Sequence, residues 1–435
     1  MPDTVYTTFT ALPVLVKVIG TLAFILTLNA GLRNLAVSLG AGIVLLAIWS
    51  GHSAAKSVEV AWEKFSSLDN ILLLIIVFLV IWLSNMMKTT GVMSSLVLSV
   101  RERLSHRTTI AALPAIIGML PMPGGAIFSA PLVDDCDTEQ NIEPLLKTRI
   151  NYWFRHVWEY WWPLYPGVLL AIDISGVDIW QFILVQMPMS ILAIAVGYWF
   201  MLRKLSAPST SKQHEKSTTK SPLIPLLAPI LTVVAVYTVV RLVLPELSEY
   251  AKYAPMVFGL CAGILLLQFQ RPLGFADWKK IIFSKRTAVL AILVALVRIY
   301  GAFIEARLPD GNLLIDQMRI EMAAWGVPML LVLMALPFLS GLATGLSVGF
   351  VGASFPVVFT LIGSDPSIGV LLATVVLAYG FGYMGMILSP VHICLIVTNE
   401  HFRTRLLHSI RSLGLPALTV LLTVTAVYFC ILWLL

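Results

Sequence analysis

Three ionisable side chains, Arg155, His156 and Glu159, stand together in an otherwise apolar stretch, just before Trp161-Trp162-Pro163. Charged groups inside membrane-length apolar segments are rare and point to function by default. Arg155 and Glu159 are four apart, so on a helix they share a face and can pair. In the functional reading Arg155 contacts a substrate anion and Glu159 or His156 carries a coupled proton. Histidine titrates near neutral pH, and burial raises a glutamate toward it. The alternative is a structural ion pair near the interface, with Trp153, Trp158, Trp161 and Trp162 as belt anchors. In the second half, Ser389, Pro390 and His392 mark a matching position, where His392 lines a site or packs as a satisfied histidine. Arg298, Glu305 and Arg241 fit structural roles.

The second kind of chemistry is in the backbone. Inside lipid every N–H and C=O needs a partner, so non-helical backbone survives only where it is buried or lines a cavity. The run Pro121-Met122-Pro123-Gly124-Gly125 removes donors and frees the chain, which ends a helix within the apolar segment. A helix starting after Gly125 aims unpaired N–H groups and a positive dipole end at one point, which favours an anion. Ser340 to Ser347 (SGLATGLS) is the second-half counterpart. The expected substrate contacts are therefore Pro123, Gly124, Gly125 and Ser129 at the first break. Thr344, Gly345, Ser347 and Ser354 belong to the second, with Tyr165, Ser389 and His392 beside them. Kinked packing helices with small residues for close approach are the plainer alternative.

These residues need elements to hold them, and composition says which. Of 435 residues 58% are hydrophobic and 12% charged, and mean hydropathy is +0.90. Soluble domains carry about 25% charged residues, so this chain lacks the charge to cover a water-facing surface. Apolar runs of about 20 residues recur, the length that crosses a hydrocarbon core. Spans are expected near 11–30, 33–50, 68–87, 148–172 and 178–202, and near 222–243, 251–270, 286–306, 366–398 and 410–434. Segments 109–135 and 327–363 are each broken in the middle by Pro or Gly. Residues 203–221 (RKLSAPSTSKQHEKSTTKS) read as a flexible linker. With that linker cytoplasmic and both broken segments re-entrant, 20 of the 29 Lys and Arg fall on the cytoplasmic side and five opposite, as the positive-inside rule requires. Treating either hairpin as a single crossing spoils this bias. The expectation is an all-α polytopic protein of the inner (cytoplasmic) membrane. It has about eleven transmembrane helices plus two re-entrant hairpins, both termini outside and no cleaved signal peptide.

The prolines repeat. Pro114, Pro131 and Pro166 in the first half answer Pro337, Pro356 and Pro390 in the second; GGAIFSAP (124–131) faces GFVGASFP (349–356), with Ser129 opposite Ser354. Residues 1–202 and 222–435 thus read as two repeats of inverted topology. Each has scaffold helices (11–87; 222–306), a hairpin (109–135; 327–363), a broken helix (148–172; 366–398) and a last helix (178–202; 410–434). Many secondary transporters place their sites between such broken helices.

This order of elements resembles the ion transporter superfamily. Within it, MLPMPGGAIFSAPLVDD and NYWFRHVWEYWWPLYPG are similar to an uncharacterised family of integral membrane proteins near the gluconate and lactate permeases. The resemblance implies an elevator-type transporter, in which hairpins and broken helices move as a block against a dimeric scaffold. The sodium–dicarboxylate branch carries Ser-Asn-Thr at each hairpin tip. Here Pro-Met-Pro-Gly-Gly and Thr-Gly-Leu-Ser stand instead, which puts sodium coupling and a dicarboxylate substrate in doubt.

The expected function is secondary transport of a small anion, an organic acid, coupled to H+ in preference to Na+. Its partners are that solute, the coupling ion, membrane lipids and a second copy of the chain. A channel or a flippase for a lipid-linked anion shares much of this evidence. A rival reading takes Asp134, Asp135 and Asp137 as a Mg2+ cradle for a diphosphate in an intramembrane phosphotransferase or prenyltransferase. No HExxH, GxSxG or Walker pattern supports an enzyme, so no catalytic residue and no cofactor is expected. Cys136, Cys261, Cys394 and Cys430 show neither disulfide nor metal spacing. A net charge of +6 without an aromatic-interleaved basic stripe excludes nucleic acid as a partner.

Overall fold

A computed structural model describes residues 12–101, 104, 106–121, 125–137, 141–203, 205, 223–309, 311–363 and 365–435. These are helical almost throughout; a bridge between Arg307 and Leu313 is isolated. The first half runs α1 (Val14–Leu32), α2 (Leu35–Trp49), α3 (Ala54–Ser66), α4 (Leu68–Thr89) and α5 (Val92–Arg101). It continues through α6 (His106–Gly118), α7 (Ala126–Cys136), α8 (Pro144–Arg155), α9 (Pro166–Ser175) and α10 (Ile179–Gly197), which ends in a π turn at Tyr198–Leu202. The second half runs α11 (Leu223–Val243), α12 (Pro245–Tyr250), α13 (Ala254–Gln270), α14 (Phe275–Ile282), α15 (Lys285–Glu305) and α16 (Leu314–Ala324). Then come α17 (Met329–Thr344), α18 (Ser347–Leu361), α19 (Ile368–Ile387), α20 (Ile393–Phe402) and α21 (Leu406–Leu434). Polar side chains start several of these. Asn34 accepts from Val37 N, Ser367 from Val370 N, and Asp178 with Gln181 forms a capping box on α10.

Among the described residues, seven helices are long and apolar enough to cross a membrane, or eight if the bent pair α16 and α17, which turns by 116°, counts as one span. That is fewer than the eleven expected. Residues 33–50 yield a helix of 15 residues and residues 251–270 one of 17, short of the roughly 20 needed for a simple crossing. Both segments with internal breaks consist of two helices folded against each other, α6 with α7 and α17 with α18. Neither is a continuous rod.

Helices α4, α11, α13 and α15 form one packed group. Helix α19 forms the centre of another, with 89% of its apolar window buried against α17, α18 and α21. Helices α17 and α19 meet at backbone distance. A Cβ on Gly341 would strike the Gly382 carbonyl, and one on Gly385 the Phe338 carbonyl. Small residues allow such contact where lipid offers no hydrophobic drive for association.

Candidate functional site

Four interruptions of helix meet in one place: the α6–α7 and α17–α18 turns and the α8–α9 and α19–α20 breaks. The first broken span was expected to yield near Trp161–Pro163. Helix α8 instead stops at Arg155, and regular helix resumes only at Pro166. The helical i, i+4 register between Arg155 and Glu159 ends with it, and Glu159 lies beside His156 (Oε1 to Nε2 3.9 Å).

The freed carbonyls find partners across the molecule. Tyr379 donates to the Glu159 carbonyl (2.6 Å), Tyr383 to that of His156 and Ser190 to that of Val157. In return, Tyr152 on α8 donates to the Ile387 carbonyl at the end of α19 (2.9 Å). Each broken span thus satisfies the backbone of the other with tyrosine hydroxyls, the condition for irregular backbone inside an apolar bundle. Tyr160, Tyr379 and Tyr383 pack ring on ring around this crossing.

Each turn of a helical hairpin docks on a break. A Cβ on Gly125, the N-cap of α7, would collide with the Arg155 guanidinium, and one on Gly118 with the Arg155 carbonyl. Tyr165 donates to the Gly118 carbonyl. At the second hairpin Gly345 takes φ +62°, and a Cβ there would meet His392 N at 2.9 Å and Ser389 Oγ at 3.1 Å. Ser389 donates to the Leu342 carbonyl (2.6 Å). The two halves touch where a Cβ on Gly167, at the start of α9, would meet Ser347 Oγ at 2.5 Å.

Of the expected contacts, Gly125, Gly345, Ser347, Ser389, His392, Tyr165, Arg155, His156 and Glu159 come together here. Pro123 and Gly124 lie outside the described residues. Ser129 is fully buried on α7, and its hydroxyl has no hydrogen-bond partner among the described residues. Thr344 and Ser354 turn back on their own helices, bonding the Ser340 and Phe350 carbonyls at 2.7 Å. Sequence reasoning passed over Cys394, and Tyr152, Tyr379 and Tyr383 with it. Cys394 is buried beside Arg155, His156 and His392; the His392-Ile393-Cys394 spacing was the one local sign of it.

Arg298, Arg241 and Lys147 have structural partners. Arg298 pairs with Asp173, which also accepts from Tyr253; Arg241 pairs with Asp178 and Tyr237. Lys147 fills the acidic cluster, with Nζ 2.8 Å from Asp134 and 2.7 Å from Asp137. Asp137 further accepts from Asn141 N (2.9 Å) and Ile142 N (3.1 Å).

A search of curated proteins finds no match. The profile of one family, described as "Protein of unknown function (DUF401)", matches residues 12–431. That match spans α1 through nearly all of α21, every element that builds the crossing included, and the chain is therefore a member of the DUF401 family.

Proposed function

We propose that this protein is a secondary active transporter of a small anion, an organic acid. One observation carries the reading: four interruptions of helix converge, inside an apolar helical bundle, on a buried cluster containing Arg155, His156 and His392. The Arg155 guanidinium lies over Gly125, where α7 begins. A fixed positive group and a positive dipole end thus share one point, which suits a carboxylate. The pairing of hairpins with broken spans supports the resemblance to the ion transporter superfamily and, through it, two inverted repeats and re-entrant hairpins. An elevator motion against a homodimeric scaffold in the cytoplasmic membrane completes that picture. The coupling ion is H+ in preference to Na+, because the tip sequences lack Ser-Asn-Thr.

The Lys147 contacts speak against the Mg2+-dependent reading of the acidic cluster. An intramembrane phosphotransferase would need Asp134 and Asp137 free for Mg2+, and the Lys147 ammonium sits between them. A flippase has one observation in its favour, an apolar cavity of about 210 Å³ lined by Trp161, Trp162, Trp180, Ile230, Tyr237 and Met256. Uptake into proteoliposomes decides among these readings. A panel of small organic anions is offered with imposed pH or sodium gradients. The proposal expects concentrative uptake of at least one anion driven by the pH gradient, and its loss in Gly125→Val with membrane insertion intact. Flux that ignores both gradients contradicts coupling, sodium-driven flux contradicts the choice of ion, and unchanged uptake in Gly125→Val removes the hairpin tip from the site.

A further inference from the structure

His156, at the end of α8, and His392 and Cys394, at the start of α20, are buried and nearly 240 residues apart in sequence. One ring nitrogen of each histidine and the Cys394 sulfur lie within 4.8 Å of one another. The two rings stand nearly perpendicular, with centroids 4.8 Å apart. Packing alone explains one buried histidine; it does not explain two imidazoles and a thiol turned into a common point.

The outer nitrogens make the pattern specific. His156 Nδ1 lies 2.6 Å from the Tyr152 carbonyl, and His392 Nδ1 lies 3.2 Å from the Met386 carbonyl. A carbonyl only accepts, so each Nδ1 carries the proton in those bonds, and in the neutral ring each Nε2 is left with a bare electron pair. Metal-ligating histidines are held in this way, the far N–H tied to a backbone carbonyl, the near nitrogen free.

We infer that His156, His392 and Cys394 bind one divalent transition-metal ion of the zinc class, where the two broken spans cross. Two imidazoles and a thiolate are a donor set for zinc and its neighbours, and a poor one for Mg2+ or Ca2+. In a triangle of side 4.8 Å the centre is about 2.8 Å from each corner, and zinc bonds of about 2.0–2.3 Å then require shifts under ~1 Å. Glu159, 3.9 Å from His156 Nε2, borders the three ligands. Binding forms an M–S bond and releases the Cys394 thiol proton to solvent. The thiolate and the Glu159 carboxylate together offset the two charges of the ion. The Arg155 guanidinium neighbours Cys394 but lies over Gly125 on the hairpin side. An ion held there ties α8 to α20, two elements from opposite ends of the chain.

The inference shares His156 and His392 with the transport reading, and its test reads metal binding with no transported solute present. The full-length protein, purified in detergent and stripped with a chelator, is titrated with Co2+ alone, whose thiolate complexes show a sulfur-to-metal charge-transfer absorption. The expected result is one Co2+ per chain, displaced by Zn2+. The band is absent in Cys394→Ser, and affinity falls at least about tenfold in His156→Ala and His392→Ala. Cys261→Ser, away from the crossing, leaves the band as it is. Zn2+ should also raise the unfolding temperature of the wild type and not of Cys394→Ser, which separates a lost ligand from a misfolded variant. Absence of the band in the wild type overturns the inference, and so does a band that survives in Cys394→Ser.

Discussion

At the scale of single residues, the crossing depends on side chains that serve another helix's backbone. Tyr379 and Tyr383 cap the Glu159 and His156 carbonyls, and Tyr152 caps that of Ile387. The His156 carbonyl also accepts from Glu159 N, so the larger cost, about 1–3 kcal/mol for a buried carbonyl that loses its side-chain donor, falls on Tyr379→Phe and Tyr152→Phe. Tyr379→Phe should therefore lower the thermal midpoint in detergent, and Tyr379→Phe with Tyr383→Phe should lower it further; a double variant as stable as the wild type would show that these bonds hold nothing. Gly118 is a sharper case, because a Cβ there would run into the carbonyl of Arg155. Backbone cannot step aside as a side-chain tip can, so Gly118→Ala should express poorly or unfold early. Size-exclusion profiles of tagged protein read that outcome directly.

Elements were legible in sequence where backbone chemistry marks them. Pro121 to Gly125 announced the end of α6, and Gly345 takes the left-handed conformation expected of a residue that stops a helix. Where α8 ends was not legible. Nothing local stops a helix at Arg155; it stops because Tyr383, Ser190 and Tyr379 accept the task of satisfying the carbonyls beyond it, and those residues lie 33 to 227 positions away. Cys394 was missed for the same reason, since its neighbour His156 comes from another element. The short helices α2 and α13 read as full spans because nearly every residue within them is apolar. Helix α9 is tied at its end to the α13–α15 group through Asp173, with Arg298 and Tyr253. Removing one member of such a buried pair costs about 3–5 kcal/mol, whereas apolar replacement of both is far milder. Asp173→Leu should destabilise strongly and Asp173→Leu with Arg298→Leu should recover most of the loss in thermal unfolding. Equal loss in both would mean that the pair is not coupled.

At the scale of the whole molecule, two packed groups of helices share the chain, and all four interruptions fall together in one of them. A bundle built only for packing has no need of backbone ends gathered at its centre, given what each unsatisfied group costs there. Gathered around Arg155, they make sense as a place prepared for a negative charge. Thermal unfolding of the purified protein over a panel of small carboxylates tests this most directly, in wild type and in the two tip variants Gly125→Val and Ser347→Val. A ligand that binds only the folded state at about 100 times its Kd adds roughly 2.7 kcal/mol. The account predicts that an anion stabilises the wild type and neither variant. The same stabilisation in all three proteins would contradict it.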